Sequence, residues 1–443
     1  MTTATLARRL GTTAAVVIGL GSMIGAGVFS AFAPAAAAAG SGLMVGLVLA
    51  AGVAYCNAVA SAQLAAQYPF SGGTYVYGRE RLGEWWGFVA GFGFVVGKTA
   101  SCAAMALTFG AYVAPGSEWG RRAAAITAVA VLTGANLRGI SRTAALARVL
   151  VAMSLTALLV VVAAIAFGDH TSSSNIGSVF ASGGVYGVLQ SAGLLFFAFA
   201  GYARIATLGE EVREPARTIP RAIPLALGIT VVLYVVVGIA ALAAAGPAVL
   251  AASHAPVAAA VSAAGAAWSE PVVRVGAAVA SLGSLLALIA GIGRTTLAMA
   301  RNGDLPRPLA AIGERRQVPA RAELAVAVVV ALLVATTDLR GAIGFSSFGV
   351  LLYYAVANAS AFTQDAAHRR WPRALNVVGL VGCVTLVATL PVASVAAGVA
   401  VLLAGVCLRG LLRRGSSGTS RVTRRTGPSP ARSPSSPPRS PGR

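Results

Sequence analysis

The chain has 443 residues, 57% of them apolar and only 11% charged, against about 25% charged in an ordinary soluble domain, which excludes a soluble globular protein. The apolar share is about 252 residues, and a helix that crosses a bilayer uses about 20, so composition sets a ceiling of about twelve crossings. The net charge of +21 would suit nucleic acid, but the charges sit at the ends of the apolar runs, and no nucleic-acid partner is expected.

In chain order the apolar runs predict twelve spans, at about 12 to 38, 42 to 66, 86 to 114, 121 to 135, 145 to 167, 186 to 209, 222 to 245, 271 to 299, 322 to 337, 342 to 362, 374 to 390 and 392 to 411. With a cytoplasmic N-terminus, 28 of the 34 Lys and Arg fall on the cytoplasmic side, and Arg121, Arg122, Arg274 and Arg340 fall outside. Lys98 and Arg204 lie within spans. The positive-inside rule then puts both termini in the cytoplasm of a cell-membrane protein. Arg8, Arg9 and Ala31-Phe32-Ala33 imitate a cleavable signal, but the apolar run is too long for one and eleven further spans need it to set their topology.

The first span contains Gly19, Gly21, Gly25 and Gly27 at mid-membrane depth. Glycine disfavours helix by about 1 kcal/mol each, and unwound backbone in hydrocarbon is tolerated only where it lines a cavity. A broken helix facing a binding site follows, with close helix packing as the competing reading. The sixth span repeats the pattern in Ala198-Phe199-Ala200-Gly201-Tyr202, with Arg204 one turn beyond. Gly-interrupted spans at corresponding places in two halves point to a transporter site. Residues 12–167 and 186–362 are then two inverted five-helix repeats, preceded by a short N-terminus (1–11) and followed by helices 11 and 12 (374–411).

From 409 to 443 the chain has nine Arg and no acid among Ser, Pro and Gly, a composition that buries no core. Residues 412–443 are expected to form a disordered basic tail, either solvated or drawn to anionic lipid. Cys56, Cys102, Cys383 and Cys407 lie in apolar runs without metal spacing. His170, His254 and His368 fall in loops or at span ends, so no catalytic set, metal or cofactor is read from the chain.

Gly21-Ser22-Met23-Ile24-Gly25-Ala26-Gly27-Val28-Phe29 and Tyr68-Pro69-Phe70-Ser71-Gly72-Gly73-Thr74-Tyr75 resemble amino acid permeases of the amino acid, polyamine and organocation superfamily. Phe196 to Tyr202, Glu210-Glu211 and Ala298-Met299-Ala300-Arg301-Asn302-Gly303-Asp304-Leu305-Pro306 resemble the same superfamily, above all its cationic amino acid transporter branch. The resemblance implies an all-α LeuT-type fold with broken helices 1 and 6, working by alternating access. It also implies a substrate amino acid held by Met23, Ile24, Gly25, Ala26 and Gly27 on one side and Phe199, Ala200 and Gly201 on the other. Phe197 is either a lid over the substrate or a core aromatic.

One departure bears on the substrate: where the resembled branch commonly has an acid after the Gly-aromatic pair, this chain has Ala203. No Asp or Glu lies at mid-depth in any expected span, so neutral or anionic side chains fit better than basic ones. Arg204 either meets a substrate carboxylate or pairs at a cytoplasmic gate with Glu210 or Glu211.

Lys98 is the only lysine among 34 basic residues, and a lysine in a dry setting can release its proton where an arginine cannot; it is a coupling residue or a structural one. Ser154, Ser281 and Ser284 fall where the resembled fold holds a cation, and they also suit helix packing. The expected function is a secondary amino acid transporter, proton-coupled or an exchanger. The alternatives are a sensor on the same fold or a carrier of polyamines or other organocations.

Overall fold

The computed structural model describes residues 10–69, 72–138, 143–176, 183–208, 211–312 and 318–422. Its helices are α1 (Thr12–Met23), α2 (Ala26–Ser30), α3 (Phe32–Ala39), α4 (Leu43–Gln67), α5 (Thr74–Leu82), α6 (Glu84–Val113), α7 (Glu118–Leu137), α8 (Thr143–Ala166), α9 (Gly184–Phe199), α10 (Ala203–Ala206), α11 (Pro215–Ala252), α12 (Pro256–Ala263), α13 (Glu270–Arg301), α14 (Ala320–Thr336), α15 (Leu339–Phe362), α16 (Arg373–Thr389) and α17 (Val392–Val422). Among the described residues nine helical stretches are long and apolar enough to cross a membrane, and the chain is a multi-pass membrane protein.

Each expected span meets a helix. Three of these helices fall short of that length and apolarity: α7, which carries Glu118, Arg121 and Arg122 in its first turns, and α14 and α16, each of 17 residues. Two of the helices differ from the expected runs by more than a turn. The seventh run, expected at 222 to 245, is a helix from Pro215 to Ala252, because apolarity marks only the lipid-facing middle while Pro215 starts the helix earlier in polar sequence. Gly246, at φ 70°, kinks its far end. The last helix continues to Val422, so residues 412–422 extend a helix where a disordered tail was expected. Phe70, Ser71, Glu210 and the remainder of the tail lie outside the described residues.

Helix α6 lies at the centre, packed along α15 and α13. Glycines bring its backbone close to α15: a Cβ on Gly97 would lie 3.0 Å from the Gly349 Cα, and one on Gly349 would lie 2.8 Å from the Gly97 Cα. Small residues give this approach where lipid supplies no hydrophobic drive between helices. The Ser101 and Ser346 hydroxyls, 2.6 Å apart, close the same contact. Across α4 and α15 the Asn358 amide donates to Asn57 Oδ1 at 2.6 Å, both side chains fully buried.

At one end of α6 an ionic cluster ties four segments together. Asp304, just past α13, is fully buried and accepts from Arg409 Nε of α17 at 2.7 Å and from the Tyr75 hydroxyl of α5 at 2.8 Å. Arg79 lies 3.2 Å from the same carboxylate. The Arg409 guanidinium, also fully buried, stacks 4.2 Å from the Trp85 ring centroid and 4.8 Å from that of Phe88. Burial and the neighbouring carboxylate push the Tyr75 hydroxyl up to about 12, so it remains a donor across the physiological range.

Removing one member of a buried ion pair strands the other charge and costs about 3 to 5 kcal/mol. Asp304→Asn is therefore expected to lower the melting temperature of the detergent-purified protein clearly. Replacing both partners, as Asp304→Leu with Arg409→Met, should recover much of that loss. Equal melting temperatures for the wild type and Asp304→Asn would contradict this account of the cluster.

Candidate functional site

The first span breaks between α1 and α2, within the Gly-rich stretch. Ile24 has φ −78° and ψ 53°, and Gly25 has φ −102° and ψ −140°, so the amides from Gly25 onward leave the α1 hydrogen-bond ladder. The sixth span changes pitch at Ala200 to Tyr202, a short 3-10 turn between α9 and α10. These two irregular segments lie directly against each other. A Cβ on Gly201 would sit 2.6 Å from the Met23 nitrogen, and one on Gly27 would sit 2.6 Å from the Ala198 Cα. The first span is interrupted at Ile24 and Gly25 and the sixth tightens into a 3-10 turn, and the glycines also serve close packing, since each irregular segment is the surface against which the other packs.

Freed backbone groups at these breaks are claimed by side chains from neighbouring helices. Tyr234 of α11 reaches both segments: its hydroxyl is 2.6 Å from the Met23 carbonyl and 3.2 Å from that of Ala198. Lys98 of α6 donates from Nζ to the Ala200 carbonyl at 3.1 Å. The Tyr354 hydroxyl of α15 stands 3.5 Å from the same oxygen. Ser284 of α13 donates to the Gly21 carbonyl at 3.3 Å, and its side chain fills the space where Gly25 would carry a Cβ.

The expected site residues divide accordingly. Met23, Ile24, Gly25, Ala26, Gly27, Phe199, Ala200, Gly201, Ala203 and Lys98 gather around the two breaks. Phe197 is 7% exposed and Phe199 fully buried. The Phe199 ring lies 5.1 Å from that of Tyr234. Ser281, one turn before Ser284, is buried and its hydroxyl has no partner among the described residues. Ser154 stays apart: its hydroxyl donates to Leu150 of its own helix at 2.8 Å, which fits the packing reading. Arg204 has no carboxylate within ion-pairing distance among the described residues; Glu211 and Arg294 are the charges that act on it, and Glu210 lies outside the description.

Beyond α10 the backbone of Leu10 pairs with the segment at Val212. Its amide donates to Glu211 at 3.1 Å, and its carbonyl accepts from the Arg213 amide at 2.8 Å. The chain entering α1 is thus fastened to the chain leaving α10. Sequence reading missed Tyr234, a hydroxyl within the apolar run Val231 to Val237, and Tyr354, one of two adjacent tyrosines in α15; a buried Tyr needs a partner.

Comparison with known proteins agrees with this architecture. The chain matches the amino acid permease family over residues 10–409. It is 61% identical over 408 residues to uncharacterized transporters of Mycobacterium bovis and Mycobacterium tuberculosis, with 92% of each chain covered. A branched-chain amino acid permease of Bacillus subtilis is 25% identical over 398 residues, covering 85% of this chain and 84% of that one. The vacuolar cationic amino acid transporter 2 of Arabidopsis thaliana is 28% identical over 382 residues, covering 80% of this chain and 59% of that protein.

Tyr234→Phe deletes one hydroxyl and leaves two buried carbonyls to find other partners, a loss of about 1 to 3 kcal/mol. The variant should insert into the membrane, melt earlier than the wild type and bind substrate more weakly. A melting curve and an affinity that both match the wild type would show that the bridge between the breaks carries no energy.

Proposed function

The chain belongs to the amino acid permease family, and from that premise we propose that it carries a free α-amino acid across the cytoplasmic membrane by alternating access. It is a transporter and not an enzyme. The proposed topology has twelve crossings with both termini cytoplasmic. Residues 12–167 and 186–362 form the two inverted repeats, and the substrate sits between the two broken helices. The observation that supports the reading is the apposition of two irregular backbone segments, residues 21–27 and 198–201, whose carbonyls at Gly21, Met23, Ala198 and Ala200 are met by side chains of the surrounding helices.

At that place the amides opening α2 would hold the substrate carboxylate, since the positive end of a helix favours anions. The carbonyls of Phe199 to Gly201 would accept from its ammonium group, with Phe197 over the side chain. The charges near the breaks are Lys98 and Arg204, both cationic, which favours a neutral side chain over a basic one. Lys98 now donates to the Ala200 carbonyl, an oxygen that the substrate ammonium would also seek. A lysine that yields this oxygen to the substrate, and gives up or takes up its proton in doing so, couples proton movement to transport.

Two variants test the reading in proteoliposomes. Gly25→Leu would drive a side chain into Ser284, and it should abolish binding of radiolabelled amino acid while the protein remains folded. Lys98→Gln keeps a donor for Ala200 but cannot titrate. It should lose proton-driven accumulation while exchange at equal concentrations survives. Unchanged binding in the glycine variant would displace the site, and a Lys98→Gln protein that still concentrates substrate down a pH gradient would end the coupling idea. Specific binding without any flux in the wild type would make the protein a sensor.

A further inference from the structure

A cavity lies at the end of α6 opposite the Asp304 cluster. That helix has 30 residues, which at about 1.5 Å per residue separates the two ends by about 45 Å. The cavity measures about 360 Å³ and is lined by the end of α11, the start of α7, the turn before α15 and the Ala33 to Ala37 face of α3. Its volume lies towards the lower end of the range of about 300 to 1,000 Å³ common for small-molecule sites.

Charge concentrates here. Arg121, Arg122 and Arg340 all line the cavity, with His254, Glu118 and Asp338. They are three of the four basic residues that the proposed topology puts on the outer face. Most of this charge is committed. Arg122 is held by Glu118 at 3.0 Å and by the Val334 carbonyl at 2.8 Å. Arg340 donates to Gln190 at 3.1 Å, and Asp338 accepts from the Gly341 amide at 2.9 Å, capping α15. Arg121 differs: its guanidinium has no hydrogen bond or ion pair among the described residues. Burial and the nearby Arg121 hold the His254 imidazole below its ordinary pKa, against the opposing pull of Glu118 and Asp338, so at neutral pH it stands beside that guanidinium without a second charge.

Tyr112, the residue after the cavity-lining Ala111, ties α6 to α2. The Tyr112 hydroxyl donates to the Phe29 carbonyl at 2.7 Å, and the two rings meet edge to face at 6.0 Å. Phe29 belongs to α2, the half-helix that begins at the break.

We propose that this cavity is an antechamber that takes a small organic carboxylate onto the free Arg121 guanidinium, next to the Phe29 and Tyr112 pair. A planar fork of donors matches a carboxylate in two parallel hydrogen bonds. Three guanidiniums against two carboxylates disfavour a cation at the mouth. The inference rests on the transport reading only in naming the physiological ligand, the carboxylate of a neutral or acidic amino acid. It gives the entrance a part in substrate selection ahead of the central site.

Ala37 lines the cavity and is exposed, so Ala37→Cys reports its occupancy. The test follows labelling of that cysteine by a maleimide in full-length, detergent-purified protein in which the exposed Cys407 is replaced by Ser. Three probes are used: L-leucine, 4-methylpentanoate, which lacks the amine, and L-leucinamide, which lacks the carboxylate. L-leucine and 4-methylpentanoate should slow labelling several-fold, and L-leucinamide should not. The same protection should persist when Gly25→Leu is added, disappear with Arg121→Gln, and pass to L-leucinamide with Arg121→Glu. Equal protection by L-leucinamide, protection that survives Arg121→Gln, or no protection by any probe overturns the antechamber. Protection that vanishes with Gly25→Leu assigns the effect to the central site, overturning the antechamber while the transport reading stands. Carboxylate protection in a protein without flux supports the antechamber and removes only the transport reading.

Discussion

A backbone polar group freed inside a membrane has no water to turn to, and the placement of most helices around the breaks follows from that constraint. Interrupting the first span at Ile24 and Gly25 and tightening the sixth at Ala200–Tyr202 release backbone groups that would cost several kcal/mol each if left unpaired. The chain answers with Tyr234 from α11, Lys98 from α6, Tyr354 from α15 and Ser284 from α13. Four helices from different parts of the sequence are thereby drawn to one point.

Close approach is the second requirement, and glycine meets it without any apolar drive between helices. Gly97 and Gly349 let α6 and α15 touch backbone to backbone, which sets Lys98, the next residue on α6, at the depth of the sixth-span break. Polar weight is moved to the ends. One end of α6 carries the buried Asp304 and Arg409 pair, and the other carries the arginine-lined cavity. The middle keeps Lys98 among small residues, aromatic rings and a few hydroxyls.

Much of this was legible in the sequence. The Gly-rich stretch pointed to an interruption of the first span, which falls at Ile24 and Gly25 while Gly19, Gly21 and Gly27 lie within helix; the sixth span, read by analogy, holds a 3-10 turn at Ala200 to Tyr202. Lys98 was conspicuous because it is the only lysine, and the structure brings it to Ala200. What escaped reading shares a physical cause: it depends on pairs far apart in the chain. Tyr234 serves Met23 across 211 positions, and Asp304 meets Arg409 across 105; neither residue looks unusual in its own run. Ser154 lay in an apolar helix where a hydroxyl could face either way, and its bond to Leu150 is a local choice that spacing does not encode. The extension of α11 back to Pro215 was hidden because apolarity reports lipid contact and not helical structure.

The pairing of Leu10 with the backbone at Val212 also orders events in time. A chain made from its N-terminus presents the first broken helix long before residue 213 has been polymerised, so during synthesis that helix has no strand partner at its start and no Tyr234 at its break. Its irregular middle must be tolerated by the insertion machinery, or held helical, until the sixth and seventh spans arrive. The first span is therefore completed only after helices made much later, and its two irregular segments mature backwards along the polypeptide, from the later helices to the earlier one.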